Sequence, residues 1–165
     1  MTLAALDVDY RDDGAVAACV CFAGWGASAS SAEHVATIVT VSPYLPGELY
    51  RRELPCLLAV LEKVPVLPEV LIVDGYVTLG GETPGLGMHL FTVLERRTIV
   101  VGVAKTRYQK ATDAVAIRRG SSRAPLFVTA AGMDAHQAAE HVRAMHGPHR
   151  LPTMIARADA LARTV

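Results

Sequence analysis

The sequence has little that would mark a secreted, membrane-spanning or disordered protein. Its three cysteines, Cys19, Cys21 and Cys56, are an odd number without framework spacing. That excludes a disulfide scaffold and points to reduced thiols. No charged-then-apolar leader opens the chain, and no apolar run is long enough to cross a bilayer, so a cytoplasmic protein is expected. An excess of either charge is also lacking, since 16 basic and 16 acidic residues give a net charge of zero. A general nucleic-acid coat is basic, because phosphate contacts release counterions. Neutrality therefore excludes broad sequence-blind binding but leaves room for local clusters. Those present are Arg51 and Arg52, Arg96 and Arg97, Lys105 to Lys110, Arg118 to Arg123, and Arg143 to Arg150.

What the chain does have is globular composition, 52% apolar and 19% charged over 165 residues. Residues 1–165 are expected to form one domain around one core. Internal repeats, low-complexity tracts and linkers are missing.

Leu3 to Tyr10 reads as a strand carrying Asp7 and Asp9. A turn at Arg11-Asp12-Asp13-Gly14 leads into Ala15 to Phe22, small and apolar on both faces and hence a central strand. Gly24 to Ser31 reads as a loop, and His34 to Val41 as a third, β-branched strand. A helix opens at Pro46-Gly47-Glu48 and runs to about Lys63, with Pro55 expected to break or kink it. Val70 to Asp74 is a buried strand, followed by a glycine-rich loop from Gly75 to Gly85. Leu86 to Leu94 reads as helix and Thr98 to Ala104 as strand, with Ala114–Ile117 and Leu126–Thr129 as further strands. Asp134 caps a helix that stops at Gly147-Pro148, and Arg157 to Thr164 is a terminal helix. A meander followed by alternating strands and helices predicts an α/β fold with a mixed central sheet flanked by helices.

Several positions carry chemistry. Asp7 and Asp74 lie in apolar strands, where a charge is expensive unless paired or metal-bound. If those strands are neighbours, both carboxylates can face one Mg²⁺; otherwise each is a turn cap. Glu53 is either a third acid or a solvated helical charge beside Arg51 and Arg52. Tyr44, stiffened by Pro43 and Pro46, can stack on a base or pack over the helix start. Lys105 ends a strand and can meet a phosphate or lie along the surface. His136, in the first turn of the Asp134 helix, is a ligand or an exposed imidazole. His89 suits a satisfied core histidine, and His141, His146 and His149 suit the surface.

Taken in order, these segments resemble endonuclease V, the deoxyinosine 3′ endonuclease family. The most specific element is Tyr44-Leu45-Pro46-Gly47 followed by Arg51-Arg52-Glu53-Leu54-Pro55. Leu6-Asp7-Val8-Asp9-Tyr10, Val73-Asp74-Gly75, Gly85 to Leu90, Gly102 to Lys105, and Arg150-Leu151-Pro152 with Arg157-Ala158-Asp159 resemble its other motifs. The resemblance implies an RNase H-like fold, with Asp7, Glu53 and Asp74 binding Mg²⁺, for which Mn²⁺ could substitute. It implies that His136 falls at or near a fourth acidic-or-His position, that Lys105 contacts the scissile phosphate, and that Tyr44 wedges the strand open. Pro46, Gly47, Gly75, Gly85 and His89 fall on the nucleic-acid side. A family His-Pro-Arg run is replaced here by Thr78 to Pro84, Tyr76 stands where a smaller polar residue is usual, and Lys105 to Pro125 is short.

The expected activity is a Mg²⁺-dependent cut 3′ to a deaminated purine in DNA or RNA, a repair reaction, by a monomer. Alternatives are a non-catalytic or retargeted relative that binds nucleic acid or a protein partner, and a nuclease for branched, mismatched or single-stranded substrates.

Overall fold

A computed structural model describes residues 1–46 and 48–165, and of residue 49 the backbone. Among the described residues, seven strands form one sheet in the order β3-β2-β1-β4-β5-β7-β6. The strands are β1 (Thr2–Arg11), β2 (Gly14–Ala23), β3 (Ala32–Ile38), β4 (Val70–Asp74), β5 (Ile99–Ala104), β6 (Val115–Ile117) and β7 (Leu126–Ala131). The helices are α1 (Leu49–Leu61), α2 (Leu86–Val93), α3 (Ala135–Arg143) and α4 (Thr153–Thr164). β1, β2 and β3 form the expected antiparallel meander; β1, β4 and β5 are parallel; β5, β7 and β6 are antiparallel.

Alternation along each strand divides the interior in two. Leu3 and Ala5 of β1, with Val70 and Ile72 of β4, pack under α3 and α4. Ala4 and Leu6, with Leu71 and Val73, pack under α1 and α2. β2 is buried on both faces, as expected of an interior strand. Cys19, Cys21 and Cys56 are buried free thiols, and the first two share the α1 face.

Three expectations need correction. β3 covers Ala32–Ile38 rather than His34 to Val41. Its pairing runs from Ala32↔Cys21 to Ile38↔Ala15, and beyond Ile38 the β1–β2 turn leaves no strand to pair with. α1 continues through Pro55 without a break. Pro55 is exposed, so the carbonyl it frees faces water, while Glu53, Cys56, Leu57 and Val60 hold the inner face. α4 starts at Thr153, ahead of the expected Arg157: Pro152 is its N-cap, and the Pro152 carbonyl accepts the first helical hydrogen bond from Ala156 N at 2.9 Å. Asp134 caps α3 as expected, accepting a hydrogen bond from Gln137 N at 3.1 Å.

Among the described residues no helix is long and apolar enough to cross a membrane.

Candidate functional site

The parallel pair β1–β4 builds the site. Its register runs from Leu3↔Val70 to Leu6↔Val73, and the next step sets Asp7 beside Asp74. Adjacent strands are about 4.8 Å apart. Both aspartates share the parity of the residues under α4, so both side chains leave the sheet on that face. Two carboxylates are thereby held side by side at the level where β4 ends, the usual location of ligand sites in such sheets.

Their proximity appears in the proton affinity of Asp7. Burial raises the Asp7 pKa and the Val8 N–H, 2.9 Å from Oδ1, lowers it; the charges of Asp74 and Asp159 raise it further, to about 7. Glu53 comes from α1, on the opposite side of the sheet, and is 8% exposed. Burial, then Asp74 and Asp7, push its pKa to about 8, against the lowering pull of Arg52. Groups that resist ionisation together in this way form a hard-oxygen set suited to a divalent cation. Among the described residues no three His, Cys, Asp or Glu side chains stand close enough to share one ion, so the acids are neighbours rather than a closed ligand shell. Beside them, the Arg52 guanidinium lies 3.9 Å over the Tyr10 ring, and both Arg52 Nε and the Tyr10 hydroxyl are buried without partners among the described residues.

Lys105 follows β5, and its Nζ lies 3.5 Å from Asp74 Oδ2. Both groups are about one-third exposed, so the pair is weak and the amine can turn to another anion.

Next to Glu53 and Asp74 opens a cavity of about 360 Å³. Tyr44, Tyr50, Tyr76 and Tyr108 line it, with Leu79, Leu86 and the backbone of Gly75 and Gly85. Tyr44 is 59% exposed at its mouth and also borders a groove with Arg11 and Arg52. The Tyr76 hydroxyl donates to Thr106 O at 2.6 Å and accepts from Tyr108 N at 2.9 Å, tying the loop after β4 to the loop after β5. Gly75 turns that loop with φ of 122°. The loop then crosses β5 at Gly102, where a Cβ would lie 2.5 Å from Gly75 O and 3.0 Å from Val77 N. Thr129 Oγ1 accepts from Val77 N at 2.8 Å and fixes the crossing. Glu82 is exposed and does not line the cavity.

The remaining candidates are placed as follows. His89 on α2 stacks on Tyr50 at 3.7 Å; burial, then Arg51, lower its pKa, and its Nε2 is buried without a partner among the described residues. Pro46 is exposed in the segment before α1, and Gly47 lies outside the described residues. His136 is not brought to the acids. It lines a separate depression with Gln137, Glu140 and His141 on α3. From α4, Asp159 bears on Asp7 instead, and its hydrogen bonding and charge help raise the Asp7 pKa. Sequence reading missed this role, although Asp159 stood inside a quoted motif. Only the docking of α4 on β1 and β2 reveals it. Thr129 and Tyr108 were also missed, and no local pattern announces either.

A sequence model of the endonuclease V family matches residues 1–124. The endonuclease V of Streptomyces coelicolor is 35% identical over 175 residues, covering 94% of this chain and 73% of that protein. That of Streptomyces avermitilis is 32% identical, with 96% and 77% covered. The crystal structure of a Streptomyces avermitilis endonuclease V superposes with a TM-score of 0.80 at 28% identity, over 99% of this chain and 80% of that one. Ciona intestinalis endonuclease V, in complex with a DNA containing an inosine, shares the fold with a TM-score of 0.82 at 20% identity, over 98% and 83%. The mixed seven-stranded sheet is thus RNase H-like, and the chain belongs to the endonuclease V family.

Proposed function

We propose that this protein is a Mg²⁺-dependent endonuclease, able to use Mn²⁺, that cuts the phosphodiester bond 3′ to a deoxyinosine or inosine and so serves nucleic-acid repair. The carrying observation is the register that sets Asp7 beside Asp74 next to a tyrosine-lined cavity. On this reading residues 1–165 act as one domain, as a monomer, in the cytoplasm.

Asp7 and Asp74 would hold the metal, with Glu53 reaching in from α1 and Asp159 steadying Asp7 from α4. A bound Mg²⁺ supplies an activated water and charge stabilisation at the phosphate. Lys105 swings from Asp74 to the scissile phosphate as a point charge. Tyr44, exposed at the cavity mouth, wedges the strand, and the displaced base enters the cavity and stacks on its rings. Loop backbone at Gly75 and Gly85 lies where it can face the base edge.

One observation favours an altered base preference within this reading. Apart from Glu53 and Asp74, the described side chains lining the cavity are tyrosines and leucines, and the Tyr76 hydroxyl is already engaged. Rings stack on any base, so discrimination between base edges falls to the remaining hydroxyls, the two acids and the loop backbone.

The test supplies Mg²⁺ or Mn²⁺ with a labelled duplex carrying one deoxyinosine, an undamaged duplex, and inosine-containing RNA. Cleavage one nucleotide 3′ of the lesion is expected, abolished by Asp74→Ala. Tyr44→Ala should weaken lesion binding and leave metal affinity unchanged. No cleavage of any substrate with either metal removes the enzyme reading.

A further inference from the structure

A second group of cations sits at the same end of the sheet. Ala104 of β5 pairs with Phe127 of β7, and Leu126 pairs with Ile117 of β6. Arg118 therefore emerges at the edge from which Lys105 also emerges. With Arg107 and Arg143 it lines a depression of about 520 Å³ that has no acidic lining residue. Arg143 belongs to α3, on the face of the sheet to which Asp7 and Asp74 point.

These side chains sit on a braced frame. Arg119, next to Arg118, is 6% exposed and turns inward. It donates to the carbonyls of Arg143 at 3.2 Å, His149 at 2.7 Å and Gly147 at 3.1 Å, among others. That fixes the backbone under Arg118 against the end of α3. Arg150 donates to Lys105 O at 2.5 Å and to Pro125 O at 2.8 Å, joining the same edge to the catalytic lysine. The Arg107 guanidinium lies 4.9 Å over the Phe127 ring, which holds its plane. Arg143 pairs with Glu140 at 2.9 Å, while Arg118 has no ion pair among the described residues. Prearranged guanidinium groups lose less freedom on binding than mobile ones.

We propose that this depression is a second subsite, which grips the phosphate backbone of the strand being cut. The inference rests on the nuclease reading above. From β4 to β6 is three strand spacings, about 14 Å, or roughly four nucleotides at the 3.4 Å rise of a stacked strand. A single strand laid along the sheet end from Asp74 past Lys105 therefore brings a phosphate several nucleotides from the cut to Arg118 and Arg107. In a protein of zero net charge, a local site of this kind supplies the phosphate affinity that the overall composition does not.

The test is the salt dependence of binding. The full chain is titrated with a fluorescein-labelled deoxyinosine 20-mer from 50 to 300 mM salt, with Ca²⁺ replacing Mg²⁺ to keep the strand whole. For Arg107→Ala/Arg118→Ala we expect affinity to fall about tenfold and the slope of log Kd against log salt to drop by about 1.4, at 0.7 per single-strand phosphate. Arg96→Ala/Arg97→Ala removes the same charge at the opposite end of β5 and should leave the slope unchanged. Equal slopes in the Arg107/Arg118 variant and wild type, an equal drop in the control, or a wild type that does not bind overturns the subsite. Wild-type cleavage is measured alongside. If the expected slope difference appears but nothing is cut, the nuclease reading fails and the subsite stands. If the strand is cut but the slopes are equal, the reverse holds.

Discussion

Replacing Asp7 by Asn removes an ionisable group that the fold holds against Asp74 and Asp159. The folded chain raises its pKa from an ordinary 3.8 to about 7. For an acid shifted upward, the bound proton stabilises the fold. That contribution is complete below pH 4 and is lost as pH climbs through the folded value near 7. The full shift corresponds to about 4 kcal/mol, which partial access to water reduces to ~1–2 kcal/mol. In a chain of this size each kcal/mol moves Tm by ~2–4 °C. Calorimetry in EDTA at pH 8 should therefore find Asp7→Asn melting ~2–8 °C above wild type. The gap should close on acidification to pH 4, and wild type alone should gain from Mg²⁺. Glu53, raised to about 8 mainly by burial, adds to the same trend in the wild-type curve. The reasoning is refuted if Asp7→Asn melts at or below wild type at pH 8 in EDTA.

Two further outcomes follow from the placements. Asp159→Ala should lower single-turnover cleavage at least tenfold and His136→Ala less than twofold; the reverse order would return the fourth position to α3. Gly102→Ala should lose ~1–3 kcal/mol in urea unfolding, because its methyl meets Gly75 O and Thr129 Oγ1 within 2.8 Å. An unchanged midpoint would mean the loop does not lie on β5.

The strands that carry Asp7 and Asp74 were legible because burial on both faces makes Leu3 to Leu6 and Val70 to Val73 unbroken apolar runs. Their adjacency was only conditional in the sequence, since parallel pairing joins segments more than sixty residues apart and leaves no local trace. The end of β3 depends on where its partner stops, so periodicity overshot it. Continuity through Pro55 depends on which side of α1 faces water, a tertiary fact. The resemblance put His136 at or near a fourth position, whereas Asp159 becomes visible only once α4 lies across β1. The family motifs pointed to Asp7, Glu53 and Asp74, but the tyrosine lining of the neighbouring cavity assembles from four separate segments and none of them reads as a pocket wall.

The packing of α4 has a consequence for the order of events in a cell. It covers β1 and β2, yet follows all seven strands of the sheet in chain order and so is made after them. Until it arrives, the small apolar residues Ala5, Ala18 and Val20 lie bare and Asp7 lacks its neighbour Asp159. A nascent chain that has not yet reached α4 therefore exposes apolar sheet surface, the state in which unfinished domains associate wrongly, and its acidic pair stands without its third neighbour.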